Sequence, residues 1–256
     1  MLRGNWRCAS RWEIGLLCSL LVFADTTRWL NRPGMQERAA DIVTRKFHIL
    51  EDGQEIGTDV WFQRRTEETV VEYRGELSVR KPTRATYRYR YRIGSADGAP
   101  RELSVQVQSG NQVGRGEYLF AEKAAEARVT IGLRASQTRT MSVTPGYAVE
   151  FGSPLFNRLA LEQLRLKVGE SRTIDAVIID RSSLVPRVLK QTYLYRGNEM
   201  IELHGHHYDT NHYGMLIGGG GKRSSYDLWT DEDYLPLILR RVQAGHVTTI
   251  RLAPPD

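Results

Sequence analysis

The chain has 256 residues, of which 41% are hydrophobic and 9% aromatic, a composition typical of a folded globular protein and not of a disordered one. The net charge is +6, but 36 basic residues are spread along the chain beside 30 acidic ones. The clustered basic surface of a nucleic-acid-binding domain is therefore not expected.

The first 24 residues have the three-part layout of a secretory signal peptide. Three arginines precede the apolar run 14–24, which is shorter than the roughly 20 residues that span a bilayer. Val22 and Ala24 place small side chains before a cleavage site ahead of Asp25. These features predict a periplasmic protein with no transmembrane segment in the mature chain; an uncleaved amphipathic N-terminus is the alternative.

Both cysteines, Cys8 and Cys18, lie inside the predicted signal peptide. The mature chain would then have no disulfide, no thiol nucleophile and no thiolate metal site. Residues 25–42 are polar, contain Pro33 and Gly34, and have no sustained period, so they are interpreted as a linker.

From residue 43 to residue 252, short β segments alternate with turn residues, which predicts a single antiparallel β domain. The first hairpin joins residues 47–50 to residues 56–62 through Asp52-Gly53. Further strands are predicted at 86–92, 102–108, 117–121, 127–133, 139–143, 173–179, 188–195, 200–208, 225–229, 235–242 and 247–252.

The strand at 86–92 has the strictest alternation in the chain, with aromatic and basic side chains on opposite faces. The two sets are Tyr87, Tyr89 and Tyr91, and Arg88, Arg90 and Arg92. The tyrosines are interpreted either as core or as the wall of an apolar groove. The arginines either bind anionic headgroups or glycans, or form a solvated row that protects a sheet edge.

One segment in the middle of the chain has helical spacing. Ser153 and Pro154 suit an N-cap and a first helical residue, and leucines follow at helical intervals up to Gly169. This pattern predicts one helix over 154–167, covering the concave face of a strongly curved antiparallel sheet or half-barrel.

The early hairpin, this helix and the closing run from Trp229 to Leu252 together resemble a family of exported bacterial β proteins of unknown function. The closing run contains Asp231, then Leu235-Pro236-Leu237, then Gly245-His246-Val247. The resemblance implies an architecture similar to the half-barrel carriers of lipoproteins and lipids in the cell envelope. It implies no site residues.

Histidines are concentrated between residues 202 and 213. On one strand, His204 and His206 would share a face with Glu202 and bind one zinc ion, with His212 or the distant His48 or His246 as a third ligand. The alternative is a polar strand face in water, where histidine is tolerated, with no cofactor at all.

Three hypotheses about function remain open. The favoured one is a non-catalytic periplasmic protein that binds an apolar or amphipathic small molecule, or an envelope protein segment, with Tyr87, Tyr89, Tyr91, Arg88 and Arg90 as ligand-binding residues. The second is a metal-dependent hydrolase built on the histidines. The third is a structural component of an envelope complex.

Overall fold

Fifteen strands and one α-helix form the part of the chain that the structure, a computed structural model, describes. The described residues are 43–254, apart from 68, 82, 134, 220 and 221. The predicted signal peptide (1–24) and linker (25–42) lie outside them. Over the described ranges, no helix has the length and apolar character needed to cross a bilayer.

The first eight strands precede the helix and the last six follow a short ninth strand and the helix. They are β1 Val43–Glu51, β2 Gln54–Glu67, β3 Val70–Val79, β4 Ala85–Gly94, β5 Pro100–Ser109, β6 Gln112–Phe120, β7 Ala124–Ile131, β8 Gln137–Ser142, β9 Ala148–Glu150, α1 Pro154–Leu164, β10 Ser171–Ile179, β11 Pro186–Leu203, β12 His206–Gly219, β13 Lys222–Thr230, β14 Pro236–Gln243 and β15 His246–Leu252.

All fifteen strands belong to one sheet, in the order β8-β7-β6-β5-β4-β3-β2-β1-β15-β14-β13-β12-β11-β10-β9. Neighbours pair antiparallel except β9 and β10, which are parallel. Two meanders therefore meet where the first strand pairs with the last, with Phe47 opposite Leu252. The predicted mainly β class and single helix are confirmed.

Local turn chemistry explains why consecutive strands pair. The β1–β2 turn consists of Asp52 at φ 50° and Gly53 at φ 83°, the left-handed pair of a two-residue hairpin turn. His246 Nδ1 and the Val247 amide both bond the Asp52 carboxylate, so this turn is also tied to the β14–β15 turn.

The helix begins as predicted and ends earlier than predicted. Ser153 is the N-cap, and its Oγ accepts the Leu155 amide. Arg165 leaves the helix in the left-handed conformation, φ 45°, and its amide bonds the Leu161 carbonyl. The predicted extension of the helix to residue 167 was wrong, because Arg165 already closes the last turn.

Helix α1 is buried on nearly all sides, because it packs between two parts of the apolar core. Leu155, Phe156 and Leu159 join the cluster formed mainly by β1–β7. Leu161 and Leu164 join the cluster formed mainly by β10–β14. The helix thus lies against both halves of the sheet.

Candidate functional site

The three tyrosines of β4 lie on the inner face of the sheet, against the helix. Tyr87, Tyr89 and Tyr91 are each 6% exposed or less. Tyr89 contacts the rings of Phe151 and Phe156, and the Tyr91 ring centroid lies 5.0 Å from that of Phe156. These aromatic rings fill the space beneath α1, and their role in ligand binding stays a prediction.

The arginines of β4 lie on the outer face, as predicted from alternation, and are paired with acids of neighbouring strands. Arg88 Nε donates to Glu76 at 2.9 Å, and Arg90 Nη2 donates to Glu102 at 2.9 Å. Arg92 lies 3.7 Å from Glu102. The outer face of β4 therefore carries a network of ion pairs. An anionic ligand would have to compete with these carboxylates for the arginines.

The histidine cluster does not lie on one strand. His204 and Gly205, at φ 54° and φ 77°, form the hairpin turn between β11 and β12. The prediction of a continuous strand over 200–208 was therefore wrong, because a two-residue turn reverses the chain between His204 and His206. All three residues are exposed, and His204 Nε2 bonds the Leu252 carbonyl at 2.8 Å.

His212 lies further along β12, in a different environment. Its Nδ1 is 2.9 Å from Glu199 and its Nε2 is 3.3 Å from Asp227, while its ring stacks on Trp229. Among residues 43–254, with the gaps given above, no three His, Cys, Asp or Glu side chains form a group that would hold a metal ion. In the described part of the chain, His204, His206 and His212 therefore do not form the shared strand face on which the zinc hypothesis was based.

A buried polar network, missed in the sequence, anchors the N-terminus of α1. Asp59 on β2 and Ser153 are both 0% exposed. Ser153 Oγ donates to Asp59 Oδ2 at 2.5 Å, and Tyr89 OH donates to Asp59 Oδ1 at 3.3 Å. Burial raises the pKa of Asp59 to about 7, although both hydrogen bonds act to lower it.

A second buried carboxylate lies at the same end of the helix. Glu150, the last residue of β9, is 8% exposed, and its Oε1 accepts the Gly152 amide at 2.5 Å. Burial raises the pKa of Glu150 to about 7, with Gly152 and Arg181 acting in the opposite direction. Two carboxylates that titrate near neutrality therefore flank one helix terminus.

An open cleft of about 440 Å³ lies near the other end of α1. Its walls come from the β4–β5 turn, the β6–β7 turn, the β8–β9 connection and the helix. The lining residues are Asp97, Ala99, Pro100, Arg101, Glu122, Gly146, Tyr147 and Gln163. This volume is within the range of small-molecule sites.

The inner end of the cleft borders the apolar core. Pro100, Tyr147 and Gln163 also line a water-sized space of about 10 Å³ whose other walls include Tyr91 and Phe156. Tyr147 OH donates to the Ala121 carbonyl, and burial raises the pKa of Tyr147 to about 12. Gln163 Nε2 donates to the Gly98 carbonyl at 2.7 Å and bridges helix and turn.

No protein-family model matches the chain, and no curated protein matches it. Solved structures that are similar to it include three proteins of bacterial origin. A DUF1089 family protein from Pseudomonas aeruginosa is 20% identical, with a TM-score of 0.46, over 70% of this chain and 87% of that one. A β-barrel-like protein of the domain of unknown function DUF1849 from Brucella abortus is 10% identical, with a TM-score of 0.47, over 82% and 96%. The hypothetical lipoprotein YmcC from Escherichia coli is 12% identical, with a TM-score of 0.35, over 83% and 87%.

Proposed function

We propose that this protein is a non-catalytic binding protein of the cell envelope, which holds an amphipathic small molecule in the cleft beside α1. The observation that carries the proposal is the position of the cleft. Its mouth has charged residues, Asp97, Arg101 and Glu122, and its inner end meets the aromatic wall that begins at Tyr91. A ligand with a polar head and an apolar tail matches that gradient.

We infer further that the sheet bends round α1 as a half-barrel. The chain connection between its two edge strands supports this. In a flat sheet, the fourteen spacings between fifteen strands would separate β8 and β9 by about 65 Å. Only residues 143–147 join Ser142 to Ala148, and they reach at most about 20 Å.

A contact across the sheet supports the same inference. Tyr118 on β6 donates its hydroxyl hydrogen to the carbonyl of Leu184, in the β10–β11 connection, at 2.6 Å. In the sheet order, β6 and β10 are separated by ten intervening strands. A bent sheet brings the two together, and leaves an inner face that α1 covers.

The packing beneath the helix defines what a ligand would have to displace. Phe151, Phe156 and Leu159 fill the space between α1 and the tyrosines of β4. The polar part of the ligand binds in the cleft that is already open, and its apolar part extends inward by moving Phe156 and Leu159. In this proposal Tyr91 is the first of the predicted ligand-binding tyrosines to be reached.

The envelope location is proposed from the sequence. Residues 1–24 have the layout of a signal peptide, and an exported chain would meet lipids and other amphipathic molecules outside the cytoplasm.

Fluorescence titration with N-phenyl-1-naphthylamine, an apolar dye that brightens on leaving water, tests the binding proposal. The protein is first unfolded and refolded to remove any ligand acquired during expression. Saturable binding of one dye per chain is expected, with competition by a single-chain lysophospholipid.

Two variants of the β4–β5 turn provide a matched comparison. Ala99 lines the cleft, whereas Ala96 is exposed on the same turn and outside it. Ala99→Trp is expected to weaken dye binding at least about tenfold by filling the cleft, an effect of about 1.4 kcal/mol. Ala96→Trp is expected to bind like the parent. Equal affinities of the two variants, or no saturable binding at all, would refute the proposal.

A further inference from the structure

We propose that Asp59 and Glu150 form a proton-controlled latch, which keeps the N-terminal end of α1 on the sheet in acid and loosens it as the pH rises towards neutral. The inference deepens the proposed function, because it assigns a regulator to the helix that covers the ligand space. It rests on the geometry of two buried carboxylates at one helix terminus.

Asp59 connects the helix cap directly to the sheet. Its neighbours on the adjacent strands, Phe47 and Leu77, are fully buried and apolar. Among the described residues, the side-chain hydrogen bonds of its carboxylate come from Ser153 and Tyr89, which belong to the helix cap and to β4. The basic group whose charge reaches it is Arg181 of the β10–β11 connection.

Glu150 holds the chain immediately before the cap. It accepts the amide of Gly152, where φ is +81° and the side chain of Arg181 lies alongside. It also interacts electrostatically with Tyr193 on β11 and Tyr226 on β13; burial raises the pKa of both tyrosines, and the negative charge of Glu150 adds to the rise. Both carboxylates thus interact with the positive charge of Arg181, which acts to lower the pKa of each.

The direction of the pH effect follows from proton linkage. In the closed state both pKa values are raised to about 7, above the ordinary values of 3.8 for Asp and 4.5 for Glu. The closed state therefore binds protons more tightly than an open state in which water reaches the carboxylates. Between roughly pH 4 and pH 7, loss of the proton from each carboxylate raises the equilibrium constant for opening by up to about tenfold per pH unit. Above that window the equilibrium constant levels off.

Hydrogen exchange of the ligand-free full chain tests the latch. Protection factors, corrected for the intrinsic pH dependence of exchange, are measured for α1 amides 158–164 and for the β5 amides of Leu103 and Val105. We expect α1 to be less protected than β5, and its protection to fall between about pH 5 and pH 7 and then level off. Asp59→Asn and Glu150→Gln are each expected to remove part of that slope, and the double variant most of it.

The possible outcomes separate the latch from its alternatives. Equal protection of α1 and β5 at every pH would mean that α1 opens only by global unfolding, which overturns the proposal. Protection of α1 that does not change with pH in the parent overturns the proposal as well. So does a pH dependence that is the same in either single variant as in the parent. The parent series and Glu150→Gln remain decisive if Asp59→Asn fails to fold. Because no ligand is present, a failed dye titration would refute the proposed function and leave the latch standing.

Discussion

Replacing Ser153 with alanine removes the link between the helix cap and the buried carboxylate. Ser153 Oγ accepts the Leu155 amide at 3.3 Å and donates to Asp59 at 2.5 Å. Loss of an N-cap costs about 0.5–2 kcal/mol, and loss of a hydrogen bond to a buried charged group costs about 1.5–3 kcal/mol. We therefore expect Ser153→Ala to lower the free energy of unfolding by about 2–5 kcal/mol at about pH 8.

The size of this loss depends on pH, because burial raises the pKa of Asp59 to about 7. At about pH 5 the carboxyl group is protonated and its bond to Ser153 is no longer charge-assisted, so the expected loss falls to about 1–3.5 kcal/mol. Urea unfolding of the parent and the variant at both pH values measures the difference.

Ser182→Ala is the matched control. Ser182 Oγ also donates to an aspartate, Asp180, at 2.5 Å, but on an exposed turn. Its replacement is expected to change stability by no more than about 0.5 kcal/mol at either pH. An equal loss for Ser153→Ala at the two pH values, or a loss no larger than that of the control, would refute the reasoning.

Three other outcomes are expected. Leu159 is 6% exposed, so Leu159→Asp buries an unpaired carboxylate under α1. The free energy of unfolding should fall by about 4 kcal/mol or more, measured by thermal unfolding. An unchanged Tm would contradict the packing of α1. Asp175 accepts bonds from Lys190 and Thr144, and these lower its pKa to about 2. The stability it contributes is present above its ordinary pKa of 3.8 and is lost as the pH falls to about 2, so Asp175→Asn should flatten acid unfolding in that window. His204→Ala combined with His206→Ala should cost less than about 1 kcal/mol and remove no metal by elemental analysis, because both side chains are exposed; loss of one bound metal per chain would restore the zinc hypothesis.

Strict alternation made some elements predictable and left others out of reach. Strand β4 was predicted because its tyrosines and arginines alternate without a break. Strand β3 was missed, because Gly75 interrupts the pattern of Val70–Val79. In the fold, a Cβ on Gly75 would lie 2.2 Å from the Tyr89 ring, so the glycine makes room for a buried tyrosine of the next strand. That requirement comes from tertiary packing and leaves no local signal.

Some parts of the candidate site could be predicted from local sequence and others could not. The Ser153 cap was predicted from local chemistry, whereas its partner Asp59 is 94 residues away in sequence. One local signal for Asp59 was available, because it alternates in register with Trp61 and so points to the inner face. The cleft was unpredictable, since its walls come from three separate connections and the helix. The turn at His204-Gly205 was missed because an apparent period of two continued across it.

The two ends of α1 have different roles in this account. At its C-terminal end, Gln163 and Tyr147 border the open cleft. At its N-terminal end, Ser153, Asp59 and Glu150 fix the helix to the sheet by buried polar bonds. The helix therefore has a fixed end whose strength depends on pH and an accessible end that faces solvent.

Native mass spectrometry of the full chain isolated from a periplasmic extract tests the central claim most directly, with Ala99→Trp and Ala96→Trp measured in parallel. The account predicts one amphipathic organic molecule per chain in the parent and in Ala96→Trp, and its loss in Ala99→Trp. A parent chain at its bare mass, or one that carries a metal ion in place of an organic molecule, would contradict it.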